Sequence, residues 1–489
     1  MRVLSIDQGT SATKAVVVEA DGSTGAVVEM PVEVRAGADG SVELDPEQLW
    51  ASVVAAGRNA LAAAGDSVDA IGLANQGETV LAWDRTSGEP RSAGIVWQDR
   101  RANGVCERLA TAGWDERLAA ISGLELDPYF AAPKIAWLRS ELGSLASGDP
   151  TITTTDTWLL HRLCGAFATD VSTASRWLTL DLDSTEWSAE ACGAFGLDPS
   201  TLPLIVANAT ASLGETDAFS PGGPPVPVTG VCVDQQAALF AESCFAAGEA
   251  KCTYGTGAFL LASTGSRPTR STNGLVGCVG WQLGPDRTSA TTWCLDGQVY
   301  TAGAAVQWLQ DIGLISEPAD LDRLGGSVTD PGGAVFVPGL AGLAAPFWKP
   351  QARGSFTGLG LATGRAELVR AVIEGIAASV AFLARAASRD LGAPLTRLRV
   401  DGGLTRSRTL LQVQADLLQI PVEVYPSPHA TALGVAAFAR LGAGGAADAG
   451  DAVGRWEPET VVEPACSADE AEARLAVWLA AAEATVDLR

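Results

Sequence analysis

The chain has 489 residues, 47% of them apolar, and carries a formal net charge of −24 at pH 7. That length exceeds one ordinary core and predicts two large domains, while the apolar share argues against disorder. The acidity excludes the basic footprint of a nucleic-acid binder or of a protein held on an anionic membrane, and is read as a solubility device.

Nine cysteines stand singly with no CxxC pair, which predicts free thiols in a reducing, cytoplasmic setting. The two histidines, His161 and His429, leave carboxylates as the better candidates for proton transfer. No signal peptide is expected, because Arg2 and Asp7 bracket too short an apolar stretch, and no segment approaches a membrane span.

In chain order, Val3–Ile6 predicts a strand, Asp7–Ala12 a tight turn and Thr13–Glu19 a second strand. Asp45 reads as the N-cap of a helix with Pro46 in its first turn, followed by Leu49–Ala64. Ala70–Ala74 predicts a short buried strand that ends in Asn75-Gln76-Gly77-Glu78, a usual place for ligand contacts. A Gly- and Pro-rich stretch, 207–227, leads into a strand over Val228–Val233 and then Asp234-Gln235-Gln236. Cys252–Ser263 predicts a second hairpin around Tyr254-Gly255-Thr256-Gly257. Further on come a helix over Glu367–Ala387, a strand over Leu398–Val400 ending at Asp401-Gly402-Gly403, and a helix over Ser407–Gln419. A small-residue linker spans 442–450, and an Ala-rich helix with Ser467 as N-cap closes the chain.

The order strand, Gly-Thr turn, strand thus occurs in both halves and predicts two related α/β units. Glycine lets a tight turn bring backbone N–H groups close to a phosphate, and the threonine hydroxyl adds a donor. A neighbouring aspartate can hold Mg²⁺ through water or take a proton from an alcohol. Two such turns with Asp7 and Asp234 beside them point to a nucleotide gripped between two halves near a hydroxyl substrate. At this level either aspartate fits either role, and Asp234 also fits the cap of a following helix.

Many motifs in order sharpen this reading. They include Asp7-Gln8-Gly9-Thr10, Asn75 to Glu78, Trp97-Gln98-Asp99-Arg100-Arg101, Pro128-Tyr129-Phe130 with Lys134, and Ala174-Ser175-Arg176. Asp234-Gln235-Gln236, Tyr254 to Gly257, Gly303 with Gln307, Asp401-Gly402-Gly403 and Thr431 to Gly434 follow. Together the chain resembles the FGGY carbohydrate kinases, the glycerol kinases among them most of all.

The resemblance implies two actin-like (ribonuclease-H-like) α/β domains, residues 1–240 and 241–489, with the active site in the cleft between them. It implies ATP and Mg²⁺ as cofactors, a small polyol or sugar as substrate, and it admits a homodimer or homotetramer. By the same resemblance Asp234 is the general base and Asp7 the Mg²⁺ ligand. Thr10, Ser11, Lys14, Thr256, Gly257, Gly303, Gln307, Gly402, Gly403 and Ser407 fall to the nucleotide. Glu78, Trp97, Tyr129, Asp234, Gln235 and Phe259 surround the acceptor. One departure stands out: the glycerol kinases carry arginine where this chain has Gly77, which removes a forked donor and opens space. A longer C4–C5 acceptor would fill that space, or water or another basic residue would take it and glycerol would still bind. A nucleotide-switched, non-catalytic or ATPase-only protein of the actin-like superfamily is the competing reading.

Overall fold

The computed structural model describes residues 1–65, 67–143, 150–284 and 291–487. Its first sheet grows from a hairpin of β1 (Val3–Gln8) and β2 (Ala12–Val18), extended by β3 (Thr24–Pro31). On the other side of β1 lie two parallel strands, β4 (Ala70–Asn75) and then β5 (Val226–Val233). The ladder Asp7↔Lys14 and Gln8↔Thr13 is intact, so the turn is shorter than expected and begins at Gly9. Helix α1 (Pro46–Ala64) starts as the sequence predicts, with Asp45 accepting the Glu47 N–H, and its apolar stripe lies on this sheet.

Helix α2 (Asp234–Ala241) follows β5 and leads to a second sheet of the same plan. There β6 (Ala250–Tyr254) and β7 (Ala258–Gly265) form the hairpin, and β8 (Val276–Gln282) and β9 (Thr291–Val299) extend it in the order β8-β9-β7-β6. Beyond β6 run β10 (Leu398–Asp401) and β11 (Val422–Val424), both parallel, and β12 (Thr460–Val462) closes the far edge. Both units therefore place a tight hairpin turn beside the ends of parallel strands, which is the duplicated architecture the two Gly-Thr turns predict.

Helix α3 (Gly303–Asp311) abuts the second turn, and α4 (Arg365–Leu391), α5 (Arg408–Leu418) and the terminal α7 (Ala468–Asp487) enclose the second core. Between α5 and α7, helix α6 (Ala430–Gly442) crosses back to cover the first sheet. Ser5 donates to Ala432 O at 2.6 Å and Thr229 to Ala439 O at 2.9 Å, tying β1 and β5 to it. An ideal Cβ on Gly434 would lie 1.8 Å from Ala237 O, so α2 and α6 approach to a distance that glycine alone permits. Part of the expected 442–450 linker is helical as well, over Ala449–Val453.

Replacing Gly434 with alanine is expected to force these helices apart at a cost of about 1–3 kcal/mol or more. Equilibrium denaturant unfolding measures it, and an unchanged midpoint would contradict the packing.

Candidate active site

Asp7 lies at the end of β1, opposite Ala74 of β4, while Val233 closes β5 opposite Asn75. Because β4 separates β1 from β5, Asp7 and Asp234 emerge at the same end of the sheet, two strand spacings or about 10 Å apart in its plane. Both are half-buried. Burial and the negative charge of Asp7 push Asp234 up to about 6, against Gln235 and Lys251. Burial also brings Asp7 to about 6, with Lys14 opposing and Glu29 and Asp401 adding. Asp234 does not cap its helix: the cap position is Val233, and the carboxylate accepts the adjacent Gln235 N–H at 2.7 Å.

The first turn is closed by Gly9 N–H donating to Ala12 O at 3.0 Å. Thr10 receives the Trp97 indole N–H at 2.9 Å, Ser11 is exposed, and Lys14 stands across the ladder from Asp7, 3.9 Å from Glu29. The second turn is sewn to the start of α3: Gly255 O accepts Gly303 N–H, and Thr256 O accepts Ala302 and Ala304 N–H, all within 3.0 Å. Ideal Cβ atoms on Gly257, Gly303 and Gly402 would each lie 2.5 Å from a backbone carbonyl, and Gly402 has φ +94. Bare backbone is thus required where Tyr254–Gly257, α3 and the end of β10 converge.

Three expected nucleotide residues are placed less decisively. Gln307 is exposed and donates to Asp311 one helical turn on, at 2.9 Å. Gly403 is exposed beside Gly402. Ser407 is buried as the N-cap of α5, donating to Asp322 at 2.7 Å and accepting the Leu410 N–H, so its hydroxyl is already committed.

The expected acceptor residues come together. Trp97 meets Tyr129 edge-on at 5.6 Å and Phe259 edge-on at 6.0 Å, making three aromatic walls. The same indole that builds these walls holds Thr10, so the expected acceptor residues and the first Gly-Thr turn share one side chain. Glu78 is buried with φ +59, a conformation non-glycine residues seldom adopt and one that marks functional positions. Burial raises its carboxyl above the ordinary range, opposed by Arg176 and Lys134. Gln235 accepts from Lys251 Nζ at 2.6 Å through its amide oxygen, which leaves its NH₂ as the group offered elsewhere.

Gly77 differs from the simple expectation of opened space. An ideal Cβ there would lie 2.9 Å from Val233 Cγ2, so a valine methyl already occupies part of the room. The nearby basic group is Arg176, whose Nε donates to Glu78 at 2.5 Å and whose Nη1 pairs with Asp296 at 2.7 Å.

Four buried charged residues that carry no role in the sequence reading hold this pocket. Lys134 donates to the carbonyls of Pro128, Tyr129 and Phe130, clamping the segment that presents Tyr129, and burial lowers its pKa to about 7. Arg176 and Asp296 brace Glu78, and Lys251 reaches both Gln235 and Thr253, the latter at 2.7 Å. Lys134 and Arg176 lie in the quoted motifs, yet only three-dimensional contact reveals their partners. Asp296 had one signal, a charge directly after the apolar run Trp293-Cys294-Leu295 in a strand paired on both sides.

Family models for the FGGY family of carbohydrate kinases match residues 2–241 (N-terminal domain) and 250–443 (C-terminal domain). A glycerol kinase of Bordetella parapertussis is 40% identical over 98% of this chain and 96% of its own length. One from Myxococcus xanthus is 41% identical, with 98% of each chain covered. The crystal structure of Plasmodium falciparum glycerol kinase with ADP superposes with a TM-score of 0.90 at 30% identity, covering 100% of this chain and 99% of that one.

The raised carboxylates carry a stability signature. Folding favours the neutral form of a group whose pKa rises from roughly 4 when unfolded to about 6 when folded. Each therefore withdraws stability from the ligand-free protein as pH climbs through that window. Asp234→Asn is expected to raise the melting temperature at pH 7.5, with the gain shrinking as pH falls from about 6 to about 4; thermal scans across pH read this directly.

Proposed function

Because this chain belongs to the FGGY family of carbohydrate kinases, we propose that it transfers the γ-phosphoryl group of ATP to a primary hydroxyl of a small polyol or sugar. The observation that carries this reading is the placement of Asp234. It lies at the same end of the first sheet as Asp7 and the first Gly-Thr turn, near enough to Glu78 for its charge to raise that carboxyl, and next to Gln235, which Lys251 ties to the second unit.

In this reading aromatic faces cover the acceptor's C–H surfaces, and Glu78, Tyr129 and the Gln235 amide pair with its hydroxyls. Asp234 takes the hydroxyl proton as that oxygen bonds to the γ-phosphorus and the bond to the ADP oxygen breaks. Thr10, Ser11, Thr256 and the backbone N–H groups of both turns receive phosphate oxygens, with Lys14 as a point charge. Gly303, Gly402 and Gly403 line the nucleotide beyond them; Gln307 and Ser407 stay as expected adenosine neighbours. A second reading, a nucleotide switch without phosphotransfer, leaves the aromatic walls and Asp234 without a purpose.

The residues suit Mg²⁺. Among the described residues no cluster of three or more His, Cys, Asp or Glu side chains forms a cage, and an ion carried with nucleotide phosphates needs just one or two carboxylates. Asp7, with its ionisation opposed by burial, is the group that would hold it, and the ion would supply charge neutralisation at the phosphates.

No helix among the described residues is long and apolar enough to cross a membrane. The nine free cysteines fit the reducing, cytoplasmic setting proposed for the chain. Whether the chain works as a homodimer or homotetramer is read by its mass in solution.

The deciding experiment measures ADP release with glycerol, tetritols, pentitols, ketopentoses and aldonates. An acceptor is expected to raise ATP turnover well above the rate without one; equal rates across the panel would favour the switch. Asp234→Asn is expected to lower kcat by at least about a thousandfold while ATP still binds in a calorimetric titration. Activity of the unaltered protein is expected to fall as pH drops through about 6, where Asp234 takes up its proton.

A further inference from the structure

Gln235 and Lys251 meet across the two units. Gln235 lies in the first turn of α2, and Lys251 lies in β6, the strand that leads into the Tyr254–Gly257 turn. Residues two apart in a strand project to one face. Accordingly Lys251 Nζ donates to Thr253 Oγ1 at 2.7 Å as well as to Gln235 Oε1 at 2.6 Å. Lys251 is 0% exposed, and both of these partners are neutral. A buried ammonium bonded to neutral groups is an expensive arrangement. Its charge also opposes the effect of burial on Asp234, Glu242 and Asp401.

A glutamine amide has two orientations of nearly the same shape, related by exchange of its oxygen and its NH₂. An ammonium carries donors and no acceptor, so it bonds to the oxygen and rejects the NH₂. Lys251 therefore decides which end of the Gln235 amide points away from it, and that end is a donor. Through Thr253 the same ammonium is fixed to the strand that becomes the second Gly-Thr turn. In-line transfer depends on holding the acceptor oxygen and the phosphate in register. One side chain thus sets the orientation of an expected acceptor group and its alignment with the nucleotide side.

Resting on the phosphotransfer reading, we propose that Lys251 is a positioning residue, which locks Gln235 with its NH₂ toward the acceptor and ties that amide to the strand carrying the second Gly-Thr turn. It acts through Gln235. A second consequence falls on Asp234, the residue before Gln235. Asp234 is faced by Asp7 from β1, by Glu78 from the loop after β4 and by Lys251 from β6. Lys251 is the cation of that set, so removing it makes Asp234 harder to ionise.

The test compares the full-length protein with Lys251→Met, Gln235→Leu and the double variant. Calorimetry reads binding of the glycerol, tetritol, pentitol, ketopentose and aldonate panel, and ADP release is followed across pH. Lys251→Met keeps the length of the side chain and removes the charge; it is expected to weaken acceptor binding about tenfold, with ATP binding nearly unchanged. Gln235→Leu is expected to cost about as much, and the double variant no more than Gln235→Leu alone. The acid fall in activity, centred at about 6 in the unaltered protein, is expected to move to higher pH in Lys251→Met. Thr253→Val, which leaves the charge in place, is expected to lower kcat without moving that midpoint, and it supplies the cycle with Gln235→Leu if Lys251→Met does not fold. Additive losses, an unmoved midpoint in Lys251→Met, or no binding of any acceptor would overturn the proposal and leave Lys251 as a structural brace. Coupled losses of acceptor binding with no ADP release from any acceptor would instead remove the phosphotransfer reading while the positioning role stands.

Discussion

Two like-charged carboxylates held at the same end of one sheet are the constraint around which the rest is arranged. Neither Asp7 nor Asp234 is fully exposed; burial opposes the ionisation of both, the charge of Asp7 adds to it at Asp234, and those of Glu29 and Asp401 add to it at Asp7. Such a pair persists in a fold only where surrounding packing over-determines it. Here β1, β4 and β5 fix the backbone, and α6 seals the sheet from behind through bonds to Ser5 and Thr229. In the proposed reading, a divalent cation carried on nucleotide phosphates would relieve this crowding of negative charge.

Around this pair, cations are distributed as braces. Lys134, Arg176 and Lys251 are all buried, and each contacts a residue expected at the acceptor or the loop that presents one: the Tyr129 segment, Glu78 and Gln235. Removing one partner of such a buried contact leaves the other uncompensated, so the pocket is held by groups that are individually expensive. Lys251 also spans the two units, bonding to Gln235 from the first and Thr253 from the second. Trp97 spans in another sense, since its indole serves both the aromatic walls and Thr10.

The architecture was legible because each sheet announces itself locally. Apolar runs broken by Gly-Thr turns, an Asp-Pro helix start and a strand ending in Asp-Gly-Gly specify their own geometry. Chain order then placed Asp7, Asp234 and the aromatic residues in one family pattern; in the structure Trp97 meets Tyr129, Phe259 and Thr10, and Asp7 and Asp234 share one end of a sheet. What stayed hidden depends on non-local contact. The return of α6 to the first sheet is encoded in Gly434, whose need for no side chain exists only because Ala237 O lies above it. The turn at Gly9 is shorter than the glycine alone suggests, since pairing with Lys14 holds Asp7 in the strand. Likewise Arg176 and Asp296 are ordinary charges in sequence and become a pocket wall through each other.

The contact between Gly77 and Val233 links two positions far apart in the chain and adjacent in space. A side chain can be added at 77 without displacing its neighbour only after 233 has become smaller, and shrinking 233 alone leaves a void. Their effects are therefore non-additive. Any route between this pocket and one with a large basic residue at 77 passes through an intermediate that is either crowded or hollow. The two positions behave as a ratchet: the pair, once set, resists change one substitution at a time.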